Sequence, residues 1–166
     1  LYTSKNRGKE YDAYNNILIY KGKYLNGERN GIGKEYNEEG ELIFEGEYLK
    51  GKRNGYGKEY NKEGNFIFEN IIQKKMSNYN YMEDEDNNES NIIFKGNYLN
   101  GVRNGKGKKF FKNGKIFEGE YLNGKRWNGI GYNTKDNSVI YKLEDGKGYI
   151  REFDEFGKKK FEGEYL

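Results

Sequence analysis

Apolar and polar positions alternate with a period of two in short runs along this chain, and glycine-rich stretches separate the runs. In Phe44-Glu45-Gly46-Glu47-Tyr48, the residues Phe44, Gly46 and Tyr48 share one face, and Glu45 and Glu47 take the other. Tyr56-Gly57-Lys58-Glu59-Tyr60 alternates in the same manner. The two runs are joined by Lys50-Gly51-Lys52-Arg53-Asn54-Gly55, where glycine and asparagine accept the positive backbone angles of a hairpin turn. Lys62-Glu63-Gly64 then turns the chain back. The predicted unit is one β-hairpin, and the glycine density disfavours helix by roughly 1 kcal/mol per interior glycine.

The unit recurs. YKGKYLNGERNGIGKEYNEEGELI begins at Tyr20, and FEGEYLKGKRNGYGKEYNKEGNFI begins 24 residues later at Phe44. Further copies begin at Phe94 and Phe117, a divergent one at Tyr141, and FEGEYL opens another at Phe161. The array spans residues 1–166 as a half repeat (1–19), repeats at 20–43 and 44–67, a degenerate copy at 68–93, repeats at 94–116, 117–140 and 141–160, and a half repeat at 161–166. The degenerate copy lacks the glycines and carries the acidic stretch Met82-Glu83-Asp84-Glu85-Asp86. The fold class predicted is all-β: an elongated, single-layer, twisted antiparallel meander of hairpins.

Glycine inside a strand weakens it and needs a reason. Gly46 and Gly57 are expected to leave bare backbone for an aromatic ring of a neighbouring strand to lie across. Gly22, Gly96, Gly119 and Gly163 recur at the place of Gly46 as structural glycines.

Composition sharpens this picture. The chain is 33% hydrophobic, which argues against a thick core, yet 17% aromatic, which argues against disorder. A thin aromatic layer satisfies both. The net charge is +3 with the two signs interleaved, so no nucleic-acid partner is expected. Without cysteine there is no disulfide, thiolate nucleophile or zinc-thiolate site. No apolar run reaches the length of a membrane-spanning helix, and no signal peptide is present in the sequence. The chain opens on Leu1 and is read as an excerpt of a longer array.

The pattern aromatic-x-Gly-x-aromatic-x-x-Gly-x-x-x-Gly-x-Gly, as in FEGEYLKGKRNGYGKEY, resembles the MORN (membrane occupation and recognition nexus) repeat. Tyr48 stands where the family often has tryptophan, and Asn54 where many members carry histidine. Trp127-Asn128 adds a residue before Gly129 and is expected to bulge that loop. The resemblance implies a rod-like sheet with an aromatic-lined groove, in a family of scaffolds, membrane-junction proteins and accessory arrays.

Other chemistry finds little support. Gly51 to Gly57 misses the phosphate-binding loop spacing by one residue, and Glu59 follows Lys58 where that loop needs serine or threonine. Glu45, Glu47 and Glu59 recur in register as an outer face paired with lysines rather than as catalytic carboxylates. Glu83–Asp86 lacks the glycine and late glutamate of a calcium loop, and Asn88-Glu89-Ser90 is an isolated glycosylation sequon. No catalytic residue, cofactor or metal site is expected. Lys108, Lys109, Lys112, Lys115 and Lys158–Lys160 offer a weak contact to anionic lipid.

Tyr24, Tyr48, Tyr98 and Tyr121 occupy one equivalent position, and Tyr36 and Tyr60 another. They form either the sheet's own thin core or the lining of a partner groove. The function expected is a non-enzymatic scaffold for protein partners or for self-association through edge strands. Its expected setting is the cytoplasm, at cytoskeletal, ciliary or membrane-linked structures. Alternatives are an extracellular or surface fibre assembled head-to-tail and a bacterial module that neutralises a partner protein.

Overall fold

The computed structural model describes residues 5–61, 92–112, 114–153 and 159–165. Ten strands follow one another in a single antiparallel sheet that does not close. They are β1 (Lys5–Tyr11), β2 (Leu18–Leu25), β3 (Glu28–Tyr36), β4 (Leu42–Leu49) and β5 (Lys52–Tyr60), then β6 (Ile92–Leu99), β7 (Val102–Phe110), β8 (Lys115–Leu122), β9 (Lys125–Asn133) and β10 (Val139–Leu143). A separate two-stranded sheet pairs β11 (Gly148–Phe153) with β12 (Lys159–Tyr165). The elongated all-β meander read from the repeat is the fold observed.

The hairpin turns are tighter than the six-residue loop expected at 50–55. Leu49 pairs with Lys52, and only Lys50 and Gly51 turn, both at positive φ (49° and 76°). Asn26-Gly27, Asn100-Gly101 and Asn123-Gly124 do the same, as the twist of a two-residue hairpin requires. Arg53, Asn54 and Gly55 therefore lie inside β5. Tyr48 pairs with Arg53 and Gly46 with Gly57, so two steps on β4 face four on β5. Gly55, at φ +87°, absorbs that bulge.

The Arg-Asn pair also ties each hairpin to the next. The Gly51 amide donates to the Arg29 carbonyl (2.9 Å), the Gly101 amide to the Arg53 carbonyl (2.8 Å), and the Gly124 amide to the Arg103 carbonyl (2.8 Å). Asn104 Oδ1 accepts from the Asn123 amide at 3.1 Å. Turn amides that would otherwise face water are thus satisfied by the preceding hairpin.

A row of glycines crosses the sheet, because Gly8 pairs with Gly22, Gly22 with Gly33, Gly33 with Gly46 and Gly46 with Gly57, continuing through Gly96, Gly107 and Gly119 to Gly129. Rings lie on this bare backbone. A Cβ added at Gly57 would fall 2.4 Å from Phe44 Cζ, and one at Gly46 2.7 Å from the same atom. The ring over Gly46 belongs to its own strand, whereas a neighbouring strand had been expected to supply it. Each ring reaches across two glycines, as Phe94 does over Gly96 and Gly107.

Above the glycines the rings form one continuous edge-to-face series. Tyr20 meets Tyr48 at 5.1 Å between centroids, Phe44 meets Tyr98 at 5.2 Å, and Phe94 meets Tyr121 at 5.1 Å. Within each hairpin, Tyr20–Tyr24, Phe44–Tyr48, Phe94–Tyr98 and Phe117–Tyr121 close the gaps at 5.6–5.7 Å. Such contacts stabilise by about 0.5–1.5 kcal/mol each beyond burial. The core is one ring thick.

Two irregularities follow from sequence. Trp127 adds a residue to β9, so Gly119 pairs with Gly129 and Phe117 with Gly131, whereas Gly46 pairs with Gly57 in the second repeat. After β9, Tyr141 and Leu143 replace the Phe-Gly-Tyr triplet, and Gly148 follows the turn where other hairpins place arginine. A single bridge, Glu144 with Lys147, then links β10 to β11, and the continuous ladder stops there.

β5 pairs directly with β6, Tyr60 opposite Ile92, in the manner of Tyr36 opposite Leu42. Most of the copy expected at 68–93, together with Glu83–Asp86 and the Asn88 sequon, lies outside the described residues.

Candidate functional site

The aromatic face is closed from above by charge. Arg53 lies 4.0 Å from the centre of Phe44, Arg29 4.2 Å from Tyr20, and Arg103 4.2 Å from Phe94. Each guanidinium is gripped by a glutamate from the preceding hairpin. Arg29 donates to Glu10 through Nε (2.9 Å) and Nη2 (2.6 Å) and to Glu35 through Nη1 (3.0 Å). Arg53 donates to Glu35 through Nε (3.1 Å) and Nη2. Arg103 donates to Glu59 through Nε (2.9 Å) and Nη2 (2.5 Å). The hydroxyls of Tyr24 (2.5 Å) and Tyr98 add donors to Glu10 and Glu59. Backbone glycine, ring, guanidinium and carboxylate make a four-level stack repeated along the sheet.

These contacts set the titration of the layer. Hydrogen bonds from Arg29 hold the Glu10 carboxyl below the usual range. Burial pushes the Glu59 carboxyl upward, but the Arg103 and Tyr98 hydrogen bonds outweigh it and the net displacement is downward. Burial raises the Tyr20 hydroxyl to about 12 and raises Tyr48, Tyr98 and Tyr121 as well. The carboxylates are committed to arginine and tyrosine and are poorly placed to act as acids or bases on a substrate.

The structure places the predicted tyrosines mainly in the core. Tyr48, Tyr98 and Tyr121 are 3%, 5% and 4% exposed, and Tyr60 is buried. Tyr24 and Tyr36 are half-buried. The open aromatic groove implied by the resemblance is not found at these rings: the edge-to-face series and the arginines fill it. Glu59 is a correction too. It faces the rings and not the outer lysines, because Gly57 and Glu59, rather than Tyr56 and Tyr60, continue the parity of Phe44.

Gly22, Gly46, Gly96 and Gly119 sit in the glycine row, and Gly163 pairs with Ile150 in the separate hairpin. Among the expected lipid contacts, Lys108 meets Glu118 at 2.8 Å and Lys109 lies 5.0 Å from the Phe111 ring. Lys112 and Lys115 also make contacts of their own. The side chains of Lys158 and Lys160 fall outside the described residues.

Sequence reasoning missed the arginines. Their signal was present, since Arg29, Arg53, Arg103 and Arg126 all follow a turn glycine by two residues.

The outer face carries a concavity. It is a solvent-open furrow of about 350 Å³, floored by Gly96, Gly107 and Gly119. Tyr56, Lys95, Lys106, Lys108, Glu118 and Glu120 flank it. Among the described residues no group of acidic side chains is placed to hold a metal ion. No helix among them is long and apolar enough to cross a membrane.

An open sheet of tandem hairpins, with a one-ring core repeated in register, defines a β-hairpin repeat protein. Three of its segments, residues 20–40, 44–66 and 94–116, match the family model of the MORN repeat. No curated protein matches the chain. MORN repeats are generally associated with scaffolds that bind proteins or membranes and are typically non-catalytic.

Proposed function

We propose that the chain is a rigid, non-enzymatic scaffold that binds protein partners in the cytoplasm, at a cytoskeletal, ciliary or membrane-linked assembly. The observation that carries this reading is the self-filled aromatic face. Tyr20, Phe44, Phe94 and Phe117 are buried beneath their own arginines, so the aromatic face is already filled by the chain itself. What it offers a partner is its outer face and its long edges. Detergent extraction of cells expressing the tagged protein tests the setting. Retention in the insoluble cytoskeletal or membrane-linked residue is expected, and complete recovery in the soluble fraction at low and physiological salt overturns it.

A second copy of the chain is a further partner, favoured by register. Gly8, Lys9 and Glu10 of β1 correspond to Gly57, Lys58 and Glu59, while Phe161, Glu162 and Gly163 of β12 correspond to Phe44, Glu45 and Gly46. Among the described residues β1 and β12 each pair on one side only. Pairing Gly8 of one copy with Gly163 of another extends the ladder head-to-tail. Sedimentation across a wide concentration range decides this, since a strictly monomeric chain excludes it.

A further inference from the structure

Strand pairing assembles charges that the linear sequence scatters. On the face away from the rings, Lys58 pairs with Lys95 and Lys95 with Lys108. The same column holds Lys9 opposite Lys21 and Lys21 opposite Lys34. Like charges directly opposite across strands are destabilising, and at one end of each run an ion pair offsets that cost, Lys34 with Glu45 at 3.4 Å and Lys108 with Glu118 at 2.8 Å. The Lys58–Lys95–Lys108 run also borders the furrow through Lys95 and Lys108, where Lys106 stands opposite Glu120 and Tyr56 presents a ring 47% exposed.

We propose that the Lys58–Lys95–Lys108 run, with the furrow beside it, docks the acidic face of an α-helix from a partner protein. This rests on the protein-binding reading above and names the chemistry of the partner. Three features select that occupant. Neighbouring strands lie about 4.8 Å apart, and carboxylates on one helix face recur about every 5.4 Å, so three of each stay matched to within about 1 Å. Same-face side chains of an extended peptide recur about every 6.7 Å, and that match is already lost by about 4 Å at the third lysine. The run is also short. Glu45 bounds it at Lys58 and Glu118 at Lys108, which sets like charge against a broad anionic surface such as a membrane or duplex.

Fluorescence anisotropy tests the proposal with a labelled, lactam-stapled alanine-based peptide carrying glutamate along one helical face. A peptide of the same composition with its glutamates spread round the helix is the reference. The triple variant Lys58→Gln, Lys95→Gln, Lys108→Gln removes the run; relief of its repulsion offsets loss of the exposed Lys108–Glu118 ion pair, so its melting temperature is expected to hold. Lys50→Gln, Lys52→Gln, Lys125→Gln removes equal charge at the hairpin turns.

The triple in the run is expected to weaken binding about tenfold or more, and the turn triple less than about twofold. The spread-glutamate peptide is expected to bind several-fold more weakly to the wild type. Equal loss in both triples, or equal binding of the two peptides, overturns the proposal. So does capture of phosphatidylserine vesicles that depends on the run while the peptide fails to bind, which assigns the lysines to a membrane. If the peptide fails while the protein still fractionates with its assembly, the scaffold reading stands and the lysine run is not its site.

Discussion

Arg103 sits 4.2 Å above the centre of the Phe94 ring, on the side opposite the glycines that the ring covers. A sheet one layer thick has no second sheet to shield its apolar face. The guanidinium supplies that cover: it lies over the ring, and its Nε and Nη2 donate to Glu59. Arginine suits this place because lysine has neither the plane nor the two-pronged edge.

Arg103→Ala is therefore expected to lower unfolding free energy by about 2 kcal/mol, between the values for exposed and for fully buried pairs. Arg103→Lys should recover less than half of that. Urea denaturation of both, with Glu59→Gln and the double variant, measures the coupling. An additive double variant removes the stack as a cooperative unit.

The glycine row makes a contrast between two glycines of one hairpin. A methyl at Gly57 would collide with Phe44, whose ring is fully buried and has nowhere to move. Gly57→Ala should cost about 1–3 kcal/mol, as overpacking does. At Gly51 nothing lies within 4 Å of an added Cβ, and only the φ of 76° opposes it. Gly51→Ala should cost about 1 kcal/mol through that strain alone. Thermal melts that rank the two the other way contradict the ring-on-glycine packing.

Much of this fold is visible in the sequence because Phe44-Gly46-Tyr48 and the turn glycines recur in strict register. The face of the strand after each turn is not visible. Arg53-Asn54-Gly55 has turn composition, and nothing local says that only Lys50 and Gly51 turn while Gly55 bulges inside a strand. Parity cannot be carried across a bulge of unknown length. Placing aromatics inside then sends Tyr56 inward and Glu59 outward, the reverse of what is found. The partner of Gly46 is Gly57, and that pairing of like residues was the usable signal. The lysine run was hidden for another reason: Lys58 and Lys95 become neighbours only because β5 pairs with β6 across residues 62–91.

Lys109 marks a break in the charged layer. Glu10, Glu35 and Glu59 stand opposite Tyr20, Phe44 and Phe94, and Lys109 holds the same place opposite Phe117. Tyr24 donates to Glu10 and Tyr98 to Glu59, whereas the buried hydroxyls of Tyr48 and Tyr121 have no hydrogen-bond partner, and only Tyr121 lacks a glutamate at the corresponding place. Lys109→Glu restores the residue pattern of the other hairpins and offers Tyr121 an acceptor. A gain of about 1 kcal/mol is expected, read as a raised urea midpoint. Tyr121→Phe should cancel most of that gain, and a gain that survives Tyr121→Phe assigns it to charge alone.

The buried tyrosines predict an alkaline limit to stability. Burial raises Tyr20 to about 12 and displaces Tyr48, Tyr98 and Tyr121 in the same direction, whereas an unfolded tyrosine titrates near about 10. Raised folded values contribute stability that is complete below about pH 10 and is lost as pH climbs from there. Each such tyrosine steepens the decline by about 1.4 kcal/mol per pH unit above that point. At the other end, the lowered Glu10 and Glu59 carboxyls contribute stability above about pH 4.5 that is lost as pH falls. Urea midpoints should therefore be flat from about pH 6 to 9 and fall on both sides. Tyrosinate absorbance should rise in two phases, the second carried by the core rings and appearing only with unfolding. A single phase centred near about pH 10 in a still-folded chain would show that the rings are not buried as described.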